Sequence, residues 1–198
     1  MTDDTVVAGS RATWPVLIFL ASACQVSRRL VRRAGTMVGV AHTVIQVPVP
    51  ELESITQRLE RPPVCPHITL LGPFVDRRDV NEDLVDTLRD LLAQVRAFDF
   101  KLSTMGRFGS ELTYLAPEPA GHFVRLTHML AATFPKWPPY DGAFDEIVPH
   151  LSIGAGLTSA DEEGVRESLP ISSTADEVTL TWWSEDAAEE LVRFPLHL

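Results

Sequence analysis

The chain has 198 residues, 45% of them apolar and 22% charged, and a net charge of −10. Its length and composition are typical of one globular domain and exclude a wholly disordered chain, a fibre and a coiled coil. The acidic balance argues against a protein that binds long nucleic acids, but not against one that binds a small phosphate ester or an RNA end, because a local pocket can oppose the global charge.

The first 36 residues differ from the rest of the chain. They contain five arginines and two aspartates, so the negative charge is concentrated in residues 37–198. Residues 14–23 are largely apolar, whereas a membrane-spanning helix needs about 20 residues. The charges that flank this run have the opposite polarity to a secretory signal. We therefore interpret residues 1–36 as a dispensable extension or a mis-assigned start before Met37, with a peripheral arm and a targeting segment as alternatives.

The two cysteines, Cys24 and Cys65, are too few for a disulfide framework and do not resemble a zinc site. A reducing compartment is the default for such a chain. We expect a cytoplasmic monomer without a membrane partner.

Strands and helices are predicted to alternate irregularly after this extension. Alternating, β-branched residues predict the first strand, and leucines at helical spacing after Asn81, a candidate N-cap, predict the clearest helix. Adjacent strand pairs indicate an α+β or mixed-sheet fold rather than a regular βαβ series. We predict strands over 42–49, 64–71, 98–105, 112–116, 147–153, 178–183 and 191–196, helices over 51–60, 82–96, 121–134 and 161–168, a turn over 106–110 and a loop over 135–145.

One short segment of the sequence occurs twice. Residues 64–70 (VCPHITL) and 147–153 (IVPHLSI) align without gaps. In both copies a proline precedes the histidine, His67 or His150, and a hydroxyl residue follows it two positions later. Such an internal repeat indicates two related lobes.

The spacing within each copy has a geometric consequence. Residues i and i+2 of a strand point to the same face, so His67 projects with Thr69 and His150 projects with Ser152. If a pseudo-twofold axis relates the two lobes, the two strands lie side by side. Two imidazoles and two hydroxyls then line one groove.

This set of side chains suits the cleavage of a phosphodiester. The reaction needs a base that activates the nucleophile and an acid that protonates the leaving oxygen, and two histidines can hold these opposite protonation states near neutral pH. Hydroxyls can donate hydrogen bonds to the non-bridging phosphate oxygens, where charge develops. The scheme requires no metal and no other cofactor.

Other interpretations of the repeat are weaker. A single histidine on an apolar strand is usually structural, but two copies in one frame are not expected by chance. Metal binding by His67 and His150 lacks carboxylate ligands in either segment, although Cys65 shares a face with His67. A Ser152 nucleophile would need a G-x-S-x-G turn, which the histidine at position 150 interrupts.

With a proline before each histidine and apolar residues around it, the segments H-I-T at 67–69 and H-L-S at 150–152 resemble the paired motifs of the 2H phosphoesterase superfamily. Within it the chain most resembles the bacterial 2′-5′ RNA ligase or RNA 2′,3′-cyclic phosphodiesterase-like proteins, over residues 42–197. The resemblance implies a bilobal α+β fold with pseudo-twofold symmetry, which we expect as two mostly antiparallel sheets that form a central groove flanked by helices. Serine in the second motif, where threonine is also common, is a conservative departure.

The resemblance also implies roles for the motif residues. His67 and His150 would be the acid/base pair, and Thr69 and Ser152 the phosphate-binding hydroxyls. The activity implied is metal-independent opening of nucleoside or RNA-terminal 2′,3′-cyclic phosphates. RNA 2′-5′ ligation or 2′-5′ phosphodiester cleavage is the alternative within the enzymes. A non-catalytic protein that binds nucleotides or RNA ends is the alternative of another class.

Aromatic residues near the motifs are candidates for stacking on a base. Phe74 follows the first motif, and Trp137 and Tyr140 lie in a proline-rich stretch before the second. For Phe108 and Tyr114 we expect packing in the core instead.

Overall fold

The computed structural model describes residues 41–59, 65–109, 112–184 and 187–197. The extension expected at residues 1–36, with its apolar run and Cys24, lies outside the described residues, as does Val64 of the predicted second strand. Within the described ranges, no helix is long and apolar enough to cross a membrane.

Eight strands form one sheet in which every pair of neighbours is antiparallel. The order across the sheet is β6-β3-β4-β5-β2-β1-β7-β8. The strands are β1 (His42–Pro48), β2 (His67–Leu71), β3 (Phe98–Phe108), β4 (Leu112–Glu118), β5 (Leu151–Ala155), β6 (Ile171–Ala175), β7 (Glu177–Trp183) and β8 (Ala188–Pro195).

The two strands that carry the repeated motifs are neighbours at the centre of the sheet. They are joined through the pair Ile68–Leu151. From β2 the sheet continues to β1, β7 and β8, and from β5 to β4, β3 and β6. The structure thus corrects the expectation of two sheets, because the pairing of β2 with β5 unites two four-stranded halves in one sheet. The pseudo-twofold relation between the halves stays a prediction.

Helices supply the rest of the core. Within the described residues the α-helices are α1 (Glu53–Arg58), α2 (Glu82–Leu92), α3 (Gly121–Thr133) and α4 (Ser159–Arg166). Asn81 caps α2 as the sequence predicts: its side-chain oxygen accepts a hydrogen bond of 2.9 Å from the N–H of Leu84, which satisfies a donor that the first helical turn leaves free. Leucines of α2 and α3 are buried in the same core as the central strands, which confirms the helical spacing of these apolar residues.

Burial alternates at the centre of the sheet. Ile68 and Leu151 are fully buried in the core, whereas His67, Thr69 and Ser152 are only partly buried on the other face. This is the arrangement that the i, i+2 spacing of each motif predicts. The motif side chains therefore share the face of the sheet that points away from the helices' apolar core.

Several local predictions differ from the structure. β5 begins at Leu151, so His150 precedes the strand, and Pro149 has no N–H with which to extend the ladder. Gly106 was expected in a turn but pairs with Tyr114 inside the β3–β4 hairpin. The strand β6 was not predicted, because its sequence ISSTA is polar; its pairing with β3 makes it an edge strand.

Candidate active site

The four motif side chains meet where β2 pairs with β5. The register of the bridging pair Ile68–Leu151, continued one step along the antiparallel strands, puts His67 opposite Ser152 and Thr69 opposite His150. Opposite residues of an antiparallel pair have Cβ atoms about 4.5–5.5 Å apart. Each hydroxyl residue is therefore placed next to the histidine of the other motif.

A backbone carbonyl two residues earlier orients each imidazole. Nδ1 of His67 lies 3.1 Å from the carbonyl oxygen of Cys65, and Nδ1 of His150 lies 2.7 Å from that of Val148. A carbonyl can only accept, so Nδ1 is the donor in both rings. Nε2 is then the atom of each ring that gains or loses a proton.

Both histidines titrate below the ordinary range. Burial, followed by the positive charge of His150, lowers the pKa of His67 to about 4, although the hydrogen bond to Cys65 acts in the other direction. Burial likewise lowers the pKa of His150. The binding of one proton disfavours a second on the neighbouring ring, whereas an anion between the rings favours protonation.

Three aromatic rings surround His150, which is 5% exposed. Phe108 and Tyr114 approach its imidazole edge-on, with centroid distances of 4.8 and 5.6 Å. These two rings stack on each other at 4.3 Å. Tyr140 lies more nearly parallel to the imidazole, at 6.4 Å and an interplanar angle of 25°. Of the three stacking candidates in the sequence, Tyr140 is the one that the structure places beside a motif histidine.

The structure corrects the prediction that Tyr114 and Phe108 pack in the core, because both rings contact His150. The Cα partner of Tyr114 on β5 is Ser152, which puts its side chain on the same face as the motif side chains. On its other side Tyr114 pairs with Gly106, where an added Cβ would collide with Cζ of the tyrosine. A glycine within a strand pattern was the signal in the sequence, since it often marks the close approach of another group.

The turn before the second motif contacts the turn after the first. The backbone N–H of Tyr140 donates a 3.0 Å hydrogen bond to the carbonyl oxygen of Gly72. Tyr140 and Asp141 both adopt a φ of 54°, which is costly for residues other than glycine. Burial raises the pKa of Tyr140 to about 12, so its phenol is neutral at physiological pH. This turn holds the Tyr140 ring against His150.

Two residues beside the first motif, Trp183 and Gln46, were not singled out from the sequence. The ring of Trp183 lies 5.1 Å from the imidazole of His67. Its indole Nε1–H donates a 3.3 Å hydrogen bond to Oε1 of Gln46. Gln46 is the Cα partner of Thr69 across β1 and β2. The signal in the sequence was a polar residue between the buried apolar residues of β1.

Phe74 and Trp137 are placed in the core rather than at the motif histidines. Phe74 is 4% exposed and belongs to the apolar core. Its ring contacts Phe134 at 5.1 Å and Trp137 at 5.2 Å, both edge-on. Trp137 is partly buried against the same core. The structure therefore corrects the expectation that Phe74 stacks on a base, and it gives Trp137 a packing role.

Two arginines, Arg77 and Arg107, have acidic partners. Arg77 forms two hydrogen bonds with Glu189, of 2.6 and 2.8 Å, and its guanidinium lies 5.0 Å from the ring centroid of Trp182. Arg107 pairs with Glu162.

The donor groups of the site are imidazoles, hydroxyls and an amide. In the part of the chain that the structure describes, no group of three or more histidines, cysteines, aspartates or glutamates could hold a metal ion. Cys65 lies beside the first motif, and burial, followed by the charge of Glu53, raises the pKa of its thiol. The thiol is therefore protonated at neutral pH.

Residues 44–187 match the family model of the 2′-5′ RNA ligase superfamily. This range contains both motifs and seven of the eight strands in full or in part. Among curated proteins, the chain is 28% identical over 107 residues to a Bacillus cereus (strain AH820) protein whose name proposes a phosphoesterase. The match covers 52% of this chain and 58% of that protein, so it spans less than two thirds of the relative's length.

Solved structures share the fold. E. coli LigT, in a crystal structure with 3′-AMP, has a TM-score of 0.51 and 19% identity over 80% of this chain and 99% of LigT. The Thermus thermophilus protein TT0787 has a TM-score of 0.53 and 16% identity over 78% of this chain and 97% of that protein. At these identities the likeness shows the fold alone.

Proposed function

Because the chain belongs to the 2′-5′ RNA ligase superfamily, we propose that it is a phosphodiesterase that opens nucleoside or RNA-terminal 2′,3′-cyclic phosphates by two-histidine acid/base catalysis. The observation that supports this proposal is the pairing of β2 with β5 through Ile68 and Leu151, from which we infer that His67, Thr69, His150 and Ser152 share one face. Each motif alone supplies only half of this set.

The chemistry follows from the orientation of the two rings. Nε2 of one histidine accepts a proton from water as the water oxygen bonds to phosphorus. Nε2–H of the other histidine donates a proton to the ribose oxygen as its bond to phosphorus breaks. The Nδ1 hydrogen bonds to Cys65 and Val148 hold both rings in the tautomer that this transfer needs.

The hydroxyls of Thr69 and Ser152 would donate hydrogen bonds to the non-bridging phosphoryl oxygens. These bonds strengthen as negative charge develops in the transition state. The bound phosphate also opposes the effect of burial on the two imidazoles, since a nearby anion favours the charged form. The mutual repulsion of the imidazoliums then favours one proton on the pair, which is the state that acid/base catalysis requires.

We propose that the rest of the substrate, beyond the phosphate, is a nucleoside. The stacked rings of Phe108 and Tyr114, together with Tyr140, provide aromatic surface next to His150. Aromatic faces stack on bases of any identity. A LigT structure of the same fold was solved with 3′-AMP, which agrees with a nucleotide ligand in such a groove.

The test is hydrolysis of a panel of nucleoside 2′,3′-cyclic phosphates in EDTA by the wild type, His67→Ala and His150→Ala. We expect turnover in EDTA and a loss of about 10²–10⁴-fold in each variant, the usual effect of removing a general acid or base. The matched control is His128→Ala, at an exposed position on α3. Full activity in either folded motif variant, or activity that disappears in EDTA, would contradict the mechanism.

The family description favours one alternative reaction, the joining or cleavage of 2′-5′ RNA linkages. The same two histidines would serve it, because a 2′-oxygen is again the attacking or leaving group. Inactivity on the cyclic phosphates with activity on 2′-5′-linked RNA would select this alternative. Nucleotide binding without either activity would select the non-catalytic binding protein.

We also propose that residues 37–198 carry the activity as a cytoplasmic monomer. Expression from Met37 tests this proposal. A truncated chain that loses its fold or activity would show that residues 1–36 are required, and size-exclusion chromatography of both proteins would report the oligomeric state.

A further inference from the structure

Gln46 is a buried polar residue whose side chain does not take part in the apolar core. It is 3% exposed, and its neighbours Ile45 and Val47 are fully buried in the apolar core. Alternation along β1 puts its side chain on the other face, and its Cα partners there are Thr69 on β2 and Thr179 on β7. Gln46 therefore lies in the same row across the sheet as the hydroxyl of the first motif.

The orientation of the Gln46 amide is set by Trp183. The indole Nε1–H donates to Oε1 of Gln46 at 3.3 Å, and only the carbonyl end of an amide can accept. Nε2, with two N–H donors, must then point elsewhere. Among the described residues, Trp183 is the hydrogen-bond partner of this side chain. A side chain that is only 3% exposed is thus left with N–H donors that no described residue accepts.

We propose that Gln46 is a phosphate-binding residue, whose Nε2–H donates to a non-bridging phosphoryl oxygen of the anion held beside Thr69. Trp183 is the positioning residue, because it fixes the amide and packs against His67 at 5.1 Å. This inference deepens the proposed function and rests on the same groove. It makes the binding of phosphate depend on a third strand, β1, which the paired motifs do not include.

An uncharged donor is suited to this position. An amide Nε2 cannot accept, so it selects an acceptor such as a phosphoryl oxygen. A lysine or arginine next to His67 would add a positive charge and make the protonation of the imidazoles still less favourable. Arg77 and Arg107 are paired with acidic side chains instead.

The first measurement uses the full-length wild type and inorganic phosphate as the probe. Side-chain amide and imidazole resonances are followed by NMR during the titration, and the Gln46 amide is assigned by its absence in Gln46→Met. We expect the Gln46 Nε2H₂ resonances to shift with the same dissociation constant as the imidazoles of His67 and His150. An unmoved Gln46 amide, or no phosphate binding, would overturn the inference.

The second measurement compares phosphate affinity among variants that retain the wild-type melting profile. Gln46→Met keeps the shape of the side chain and removes its donors, and a lost hydrogen bond to a charged group corresponds to about a tenfold to hundredfold weaker binding. Gln46→Glu should weaken binding further, because it puts a carboxylate beside the anion. The matched control is Gln94→Glu, an equal change of charge at an exposed residue, which should leave affinity unchanged.

Trp183→Phe tests the positioning role separately. Phenylalanine keeps a ring beside His67 but has no N–H for Oε1, so we expect a smaller loss of affinity than in Gln46→Met. Wild-type affinity in Gln46→Met overturns the phosphate contact, and wild-type affinity in Trp183→Phe overturns the positioning role.

The outcomes separate this inference from the proposed function. If the protein binds phosphate through Gln46 but hydrolyses no cyclic phosphate, the role of Gln46 is supported and the proposed activity is contradicted. If it hydrolyses cyclic phosphates and Gln46→Met leaves kcat and KM unchanged, the activity is supported and the role of Gln46 is contradicted.

Discussion

Ile68 lies directly opposite Leu151, and both side chains are fully buried. This pair joins the halves of the sheet and sets the register of the two motifs. A slip of one residue would reverse the faces of a whole strand and send its histidine into the core. The apolar residue in the middle of each motif is therefore as necessary for the site as the polar residues beside it.

The hydroxyls of Thr69 and Ser152 should contribute through hydrogen bonds that form with the phosphate. Thr69→Val and Ser152→Ala are each expected to lower kcat/KM by about tenfold to hundredfold, the range for a hydrogen bond to a charged group. Steady-state kinetics on a cyclic phosphate measures this loss. Thr174→Val, on the edge strand β6, is the matched control and should retain wild-type kinetics; an equal loss there would point to a general effect on folding.

Gly106 should resist replacement because the Tyr114 ring occupies the space of its Cβ. We expect Gly106→Ala to lower the free energy of unfolding by about 1–3 kcal/mol, as overpacking does. In Gly164→Ala the new methyl group meets no atom within 4 Å, and the helix should gain about 0.5–1 kcal/mol. Denaturant unfolding compares the two.

A second variant connects the Gly106 effect to the tyrosine. In a Tyr114→Ala background, Gly106→Ala should cost much less than it does in the wild type, because the colliding ring is gone. Equal costs in the two backgrounds would show that the ring is not what excludes a side chain at this position.

The Tyr140 ring should keep the imidazole of His150 dehydrated. Burial lowers the pKa of His150, so Tyr140→Ala should let water in and raise this pKa toward its ordinary value. Tyr140→Phe keeps the ring and should leave it unchanged. Imidazole titration by NMR gives both values, and an identical shift in the two variants would assign the effect to the phenol hydroxyl instead.

Acid should destabilise the protein through His67. Its pKa is about 4 in the folded protein against an ordinary value of 6.5, so between these values the unfolded chain binds the proton more readily. The free energy of unfolding then falls as the pH drops from 6.5 towards 4, and the contribution is fully present above 6.5.

The measurement is the difference in unfolding free energy between the wild type and His67→Asn at pH 7 and pH 5. Between pH 7 and pH 5 the wild type should lose up to about 2 kcal/mol more unfolding free energy than His67→Asn does. His128→Asn, at an exposed position, should follow the wild type at both pH values. Parallel curves for the wild type and His67→Asn would contradict the low pKa.

Much of the fold could be predicted because it depends on local patterns. The strand β1, the Asn81 cap and the leucine spacing of α2 each depend on residues within one element, and the structure confirms all three. The i, i+2 spacing likewise predicted which side of each motif leaves the core. The pairing of β6 depends on β3, more than 60 residues earlier in the chain, and no local pattern contains it.

The aromatic residues show the same division. Phe74, Phe108 and Tyr114 are all large apolar rings near a turn or in a strand, and local sequence does not distinguish them. Phe74 packs on Phe134 in the core, whereas Tyr114 faces His150 because β4 pairs with β5 in a particular register. Only the neighbours across the sheet decide which ring meets the groove.

The sequence by itself determined the two motifs, their spacing and the faces that His67 and His150 occupy, because period-two alternation is a property of a single strand. The tertiary structure decided that the two strands are adjacent, that they belong to one sheet, and that Gln46, Trp183, Phe108 and Tyr114 surround the histidines. These contacts join residues far apart in the chain, and they follow from strand pairing and burial summed over the whole domain.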